Sequence, residues 1–270
     1  MTGNRGNITM NRRHTFSILG GGALLAALGP AAARAAGDAA PWGYDGAEGP
    51  AHWGDLDAAY RACGEGTRQS PIDLAEATPA DVPAPAVRYP AMPLDVTNDG
   101  HTVRVAATRG ARLDPGAAAG AGWRLQQFHF HHPGEHTVNG AHRPLEIHFV
   151  HTHPDRPGYV VLGVLAEAGA ANPALATILD HAPEKAGGSA APDGVTVDPA
   201  ALLPPAGARG AWRYHGSLTT PPCTEKAAWV VFTTPVTVSR DQIDRFAALY
   251  TGNNRPVQPL NRRFLLRSGG

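Results

Sequence analysis

Two short segments carry the residues best suited to chemistry: Gln127-Phe128-His129-Phe130-His131 and Glu146-Ile147-His148-Phe149-Val150. Read as extended strands, each sends alternate side chains to opposite faces. Gln127, His129 and His131 then share one face and Phe128 and Phe130 the other, while Glu146, His148 and Val150 project together, opposite Ile147 and Phe149. If the two strands are sheet neighbours, three imidazoles converge. Three neutral nitrogens with an open fourth position is the arrangement of a catalytic zinc, because the ion can hold a water there and lower its pKa. The second nitrogen of each such ring needs an acceptor to fix it, and Gln127 and Glu146 each stand two residues from a histidine on the same face. A lone His-x-His pattern is weak evidence, and partly exposed strand histidines are its ordinary explanation. The flanking acceptors move the balance towards a metal.

Holding such strands together requires a core, and the composition supplies one. Of 270 residues 43% are apolar and 17% charged, which excludes a disordered chain. Twenty-three basic residues balance twenty-three acidic ones, so the broad positive field of a nucleic-acid binder is absent. Pro and Gly recur from Pro41 onward without an internal repeat, which favours a β-rich single domain with long connections. Leu94 to Ala107 reads as a hairpin around Asn98-Asp99-Gly100. Arg124 to His132, Leu145 to His151, Tyr159 to Ala166 and Trp229 to Thr233 read as further strands. One helix starts at Asn172-Pro173. Another follows the Ser239/Gln242 capping box and runs through Ile243, Phe246 and Tyr250 to a stop at Gly252. Gly116 to Gly122 and Ala182 to Gly194 read as surface loops.

The first 35 residues contain Arg5, Arg12, Arg13 and Arg34 and no Asp or Glu; the remainder has a formal charge of −4. A charged start, an apolar stretch from Phe16 to Leu28 and the Ala33-Arg34-Ala35 site form the layout of a signal peptide over residues 1–35, with Met10 an alternative start. The apolar stretch is shorter than the ~20 residues a bilayer crossing needs, so no membrane anchor is expected after its removal. Arg12-Arg13 ahead of Phe16 resembles a twin-arginine signal; the general secretory route is the alternative. Export to the periplasm or outside the cell gives meaning to the two cysteines, Cys63 and Cys223, which can form one disulfide; two buried thiols are the other reading.

Taken together, these motifs resemble an α-class carbonic anhydrase of the exported bacterial branch, from about Trp42 to about Arg263. The resemblance is carried by Gln69-Ser70-Pro71-Ile72-Asp73, Asn98-Asp99-Gly100-His101, the two histidine strands, Gly134-Glu135-His136-Thr137-Val138 and Tyr214-His215-Gly216-Ser217-Leu218-Thr219-Thr220-Pro221-Pro222. It implies a mostly β domain over residues 36–270: a central, largely antiparallel twisted sheet of about ten strands, a few peripheral short helices, and zinc in a conical cleft. It implies His129, His131 and His148 as ligands of Zn(2+), and reversible hydration of carbon dioxide to bicarbonate and a proton. Thr219 is implied as the hydroxyl that orients the nucleophile and donates to Glu135, with Thr220 beside it. Val150, Val161, Leu218 and Trp229 are implied as the carbon dioxide pocket. His101 is implied as the proton shuttle, with Tyr44 and Asn98 ordering water between it and the metal. The partner is a small molecule, with no nucleic acid; a homodimer is an open option. A catalytically silent binding module and an esterase are the alternative functions.

Two positions depart from relatives. Arg104 stands where they carry Asn or Gln, and a cation there is expected to depress the pKa of His101 by repulsion. His132 replaces a bulkier or hydroxylated residue at the cleft floor. His136 is expected to bond internally near Glu146, and His132, His142, His151, His153, His181 and His215 to be loop or surface residues.

Overall fold

The structure, a computed structural model, describes residues 39–116, 120–250 and 252–269. The signal-peptide reading of residues 1–35 lies outside the described residues, as do residues 117–119 of the Gly116 to Gly122 loop. Eight strands and two helices position the site: β1 (Val96–Asn98), β2 (Val103–Ala106), β3 (Trp123–His131), β4 (Leu145–Thr152), β5 (Tyr159–Ala168), β6 (Ala211–Gly216), β7 (Ala227–Phe232), β8 (Leu266–Arg267), α1 (Pro173–His181) and α2 (Arg240–Leu249). The strands belong to one mixed sheet of 13 strands, whose path runs Thr78–Pro79, β8, β6, β7, β5, β4, β3, β2, β1, Ser189–Ala190. Most pairings are antiparallel, and the parallel ones are β5 with β7, β5 with Val236–Val238, and Thr78–Pro79 with β8. The sheet is thus larger than the expected ten strands, the excess being short pieces at its margins. Among the described residues no helix is long and apolar enough to cross a membrane.

The expected hairpin is present as β1 and β2 in antiparallel register. Its turn is held by Asp99 Oδ1, which accepts from the amides of His101 at 3.0 Å and Thr102 at 2.9 Å. Helix α1 is capped by Asn172, whose side chain accepts from Ala174 N and Leu175 N. Helix α2 carries the full Ser239/Gln242 capping box but ends at Leu249, because Tyr250 turns extended and closes the last turn through its own amide. The Ala182 to Gly194 stretch is more than a loop: Ser189–Ala190 pairs with β1 at the sheet edge.

Strand β5 reads Tyr-Val-Val-Leu-Gly-Val-Leu-Ala and is buried along most of its length. Val160, Leu162 and Val164 enter one core cluster and Val161 and Leu165 another, so both faces of the sheet are covered here. A register shift between Val150 and His151 opposes Gln127 and Leu125 on β3, leaving Gln126 as an extra residue. This bulge lets Leu125 and Phe128, three apart, reach the same core, and it leaves Gln127, His129 and His131 on the opposite face. The two cysteines form a disulfide with a Cα–Cα distance of 5.1 Å, tying the Cys63 turn to the segment after Thr219-Thr220.

His151 is a correction. It is fully buried in β4 on the face of Ile147 and Phe149, where period two puts it; Tyr89 Oη lies 2.6 Å from Nε2, and Nδ1 meets Val160 O at 3.0 Å. Burial lowers its pKa to about 4, against the ordinary 6.5. Between those values the unfolded chain binds a proton at this residue that the folded chain does not, so the stability it confers is complete above pH 6.5 and is lost as pH falls. For the metal-free protein, the drop in urea-unfolding free energy from about pH 7 to about pH 5 should be smaller in His151→Gln by about 2 kcal/mol. Equal drops in both proteins would contradict this.

Candidate metal centre

The register of β3 and β4 sets the centre. His148 faces His129 directly, Glu146 faces His131 and Val150 faces Gln127. The rings of His129 and His131 are 5.0 Å apart, those of His131 and His148 4.5 Å, and those of His129 and His148 5.4 Å. One nitrogen from each lies within 4.8 Å of the others.

Each ring has one nitrogen against an oxygen. Gln127 Oε1 is 2.8 Å from His129 Nδ1, the Asn253 carbonyl 2.7 Å from His131 Nδ1, and Glu146 Oε1 2.8 Å from His148 Nε2. An oxygen acceptor fixes the N–H at that nitrogen, so the lone pairs lie on His129 Nε2, His131 Nε2 and His148 Nδ1. His131 Nε2 is buried and makes no hydrogen bond. Burial lowers the pKa of all three rings, and repulsion between them adds to it at His129 and His148. Neutral imidazoles with converging lone pairs are the donor set that zinc requires, so the residues fit such an ion.

Glu146 is itself anchored. Burial pushes its carboxyl up, but His136 and His148 together carry it well below the usual carboxylate range. His136 offers its amide to Oε2 at 2.8 Å and Nδ1 to Oε1 at 2.6 Å, and its Nε2 meets Tyr214 Oη at 2.6 Å, so it is the internal polar group expected. His136, Glu146 and His148 also cluster closely enough to suggest a metal, but hydrogen bonds among themselves already occupy the atoms concerned. Gly163 on β5 faces His148, and a Cβ there would come within 3.2 Å of Glu146 Oε1. With the Val231 methyl groups at 3.1 and 3.3 Å from the same point, a glycine in this Val/Leu strand marks where the carboxylate and Val231 together leave no room for a side chain.

Glu135 is fully buried, its Oε1 accepting from the Arg255 amide at 2.8 Å. Burial raises its pKa to about 7; His148, the Arg255 amide and the Thr219 hydroxyl draw it down. Its Oε2 is buried, makes no hydrogen bond and lies 3.7 Å from His148 Nδ1. Thr219, Thr220, Val150, Val161, Leu218 and Trp229 line a cavity of about 200 Å³ together with His129, His148, Gln127 and Tyr159. Trp229 Nε1 donates to Ser217 O at 2.9 Å, which uses its donor elsewhere.

At the rim the His101 ring stacks on Trp42, with centroids 3.6 Å apart and planes at 7°. Tyr44 lies 6.5 Å from that ring, and burial pushes its phenol well above the usual range. Asn98 does not join them. Its Nδ2 donates to Pro183 O and Glu184 O, and its Oδ1 accepts from Gly100 N and from Tyr250 Oη, so all its hydrogen-bonding capacity is spent on holding the loop. His132 bonds Pro144 O through Nδ1 at 2.9 Å, beside the loop and not in the cavity.

Arg104 also departs from expectation. Its Nε is 3.8 Å from Asp99 Oδ2. The pKa of His101 is lowered by burial and partly restored by Asp99; Arg104 acts on His129 instead, the residue it faces across the sheet. In an NMR titration of His101, Asp99→Asn should lower its pKa further, while Arg104→Gln should leave it within a few tenths of a unit. The reverse pattern would restore Arg104 as the cause.

Two groups were not anticipated from residue types. The Asn253 side chain accepts from His132 N at 2.7 Å and donates to His101 O and Phe130 O at 2.9 Å, while its carbonyl holds His131. Arg255, almost wholly buried, donates to Gln69 Oε1, Ser70 O and Cys63 O, each at 2.8 Å.

The family model for eukaryotic-type carbonic anhydrase matches residues 48–269. The chain is 37% identical over 235 residues to a carbonic anhydrase of Pectobacterium atrosepticum, covering 86% of this chain and 92% of that one. It is 38% identical over 244 residues to that of Neisseria gonorrhoeae, covering 90% and 94%. The α-carbonic anhydrase of Thermovibrio ammonificans, solved in complex with the inhibitor sulfanilamide, aligns with a TM-score of 0.78 and 42% identity over 84% of this chain and 99% of that one. The Photobacterium profundum α-carbonic anhydrase aligns at 0.76 and 36% over 84% and 100%. Likeness of this extent, in sequence and in fold, means that the chain belongs to the eukaryotic-type, or α-class, carbonic anhydrase family and is a carbonate dehydratase, interconverting carbon dioxide and bicarbonate.

Proposed function

We propose that the protein is a zinc carbonic anhydrase in which His129, His131 and His148 hold the ion, oriented by Gln127, the Asn253 carbonyl and Glu146. The observation that carries this reading is the set of three inward lone pairs, one of them on the buried and unpartnered His131 Nε2. Bound zinc supplies the Lewis acidity that makes water ionisable near neutral pH.

The chain's own residues do the rest. Thr219 gives its hydroxyl hydrogen to Glu135, which leaves the Thr219 oxygen only as an acceptor. An attacking water must then donate to it, and its orientation is set by that bond. The Arg255 amide holds Glu135 as the required acceptor. Val150, Val161, Leu218 and Trp229 present apolar surface to carbon dioxide, Thr220 forms part of the same wall, and the volume of about 200 Å³ suits a small substrate. His101 takes up the released proton at its ring and passes it to buffer, with Tyr44 beside the route. The disulfide supports export to the periplasm or outside the cell, with residues 1–35 as the signal.

Stopped-flow measurement should find carbon dioxide hydration that a zinc chelator abolishes and added zinc restores. A rate indifferent to zinc removal would overturn the assignment. Glu146→Gln should weaken zinc about 10-fold or more in chelator competition, since a neutral amide holds the His148 N–H less firmly.

His101→Ala should lower turnover in dilute buffer, with imidazole restoring it and kcat/KM little changed, because the substitution touches proton export alone. Failure of the rescue would exclude the shuttle role.

A further inference from the structure

The sheet's far face carries a second concave region. Strand registers fix which residues line it. Val160 pairs with Ala228, Arg213 with Val230, His215 with Ala228, and Arg213 with Leu266. Their side chains project opposite to those of Val161, Trp229 and Tyr214, their chain neighbours, and Trp229 and Tyr214 also border the groove. Together with the chain around Val82 and Phe264 they enclose a groove of about 640 Å³, roughly three times the volume of the cavity at the histidines. That volume lies in the range of sites that take a drug-sized molecule.

Its walls and its charges do not match an empty surface. Val160, Val230 and Leu266 make the floor apolar, and Phe264, 81% exposed, stands at the edge. Arg68, Arg213 and Arg263 also line it, and no Asp or Glu does. Arg68 has a carboxylate neighbour, Glu225 at 3.6 Å, which also acts on Arg263, whose guanidinium lies over the Tyr214 ring. The guanidinium of Arg213 is held by Pro115 O at 2.6 Å and Pro83 O at 2.8 Å, and that of Arg263 by the carbonyls of Leu260, Gln69, His215 and Pro259. Carbonyl oxygens orient a guanidinium without neutralising it. Arg213 Nε is buried and makes no hydrogen bond.

We propose that this groove is a second binding site, for an amphipathic anion: one carboxylate or sulfonate group on an aromatic or aliphatic body. The anionic head pairs with Arg213, which has no carboxylate beside it, and the body covers Val230, Leu266 and Phe264. Apolar burial gives such a ligand its affinity, and the Arg213 guanidinium selects for its charge.

The probe is 8-anilinonaphthalene-1-sulfonate, with the uncharged N-phenyl-1-naphthylamine as control, titrated by fluorescence into the purified enzyme. Saturable binding of the sulfonate at one site per chain is expected, the same before and after zinc removal. Arg213→Gln should weaken it about tenfold and Phe264→Ser several-fold, while hydration activity stays at the wild-type level in both. The uncharged probe should bind more weakly and be indifferent to Arg213→Gln. Absence of saturable binding overturns the proposal, as does binding unchanged by Phe264→Ser, an exposed position where misfolding is not an issue. Sedimentation supplies the remaining arm: a dimer that Phe264→Ser converts to monomer would show that a second copy of the chain covers the groove, and would also overturn it.

Discussion

Three histidines packed this closely in a buried patch cannot carry charge, and the architecture around them follows from that restriction. Burial and mutual repulsion favour the neutral form, but neutrality alone leaves each ring two tautomers. Only one of the two presents a lone pair to the shared centre. An acceptor behind each ring removes the ambiguity, and the acceptors are of three kinds: an amide oxygen, a main-chain carbonyl and a carboxylate. The carboxylate is the expensive choice, since it must itself be stabilised away from water. His136, Tyr214 and the space left by Gly163 meet that demand.

How much of this was legible in the chain depends on whether the signal lies in side-chain type. Alternation along Gln127 to His131 and Glu146 to Val150 identified the rings and two of their acceptors, because period two is a property of the strand itself. The third acceptor is the carbonyl of Asn253, 122 residues from His131. Every residue has a carbonyl, so no residue type announces it. Asn98 was expected in the cleft from the family resemblance, as a residue ordering water beside His101. The loop after α1 instead takes its amide through Pro183 and Glu184, a long-range contact with no local signature. His151 differs: the alternation that placed His148 in the cleft also puts His151 in the core, and the signal was present in the strand.

A second set of contacts joins parts of the chain that the histidine strands do not reach. Arg255 touches the Cys63 carbonyl, Ser70 and Gln69 through its side chain and Glu135 through its amide, with the Trp53 ring 5.6 Å from its guanidinium. Gln69 in turn donates to the Cys223 carbonyl. The disulfide between Cys63 and Cys223 therefore closes a loop of contacts whose other members set Glu135 and the approach to Thr219. Burying a guanidinium is costly unless its donors are met; three carbonyl or amide oxygens take the two terminal nitrogens in fixed directions, while the buried Nε makes no hydrogen bond. Position, more than net stability, is what such an arrangement secures.

The two faces of the sheet treat ionisable groups in opposite ways. On the cleft face, imidazoles lose their charge to burial, which outweighs the attraction of Glu146 and, at His148, of Glu135. On the far face, Arg213 keeps its charge, since a guanidinium titrates far above neutral pH even where burial lowers the pKa. β7 is the strand common to both, with Trp229 turned one way and Ala228 and Val230 the other. A strand whose neighbours alternate sides transmits little from a substitution on one side to chemistry on the other, provided that its backbone register holds. Changes to Arg213 and to His148 should therefore combine additively in stability, and coupling between them would mean that the register itself had shifted.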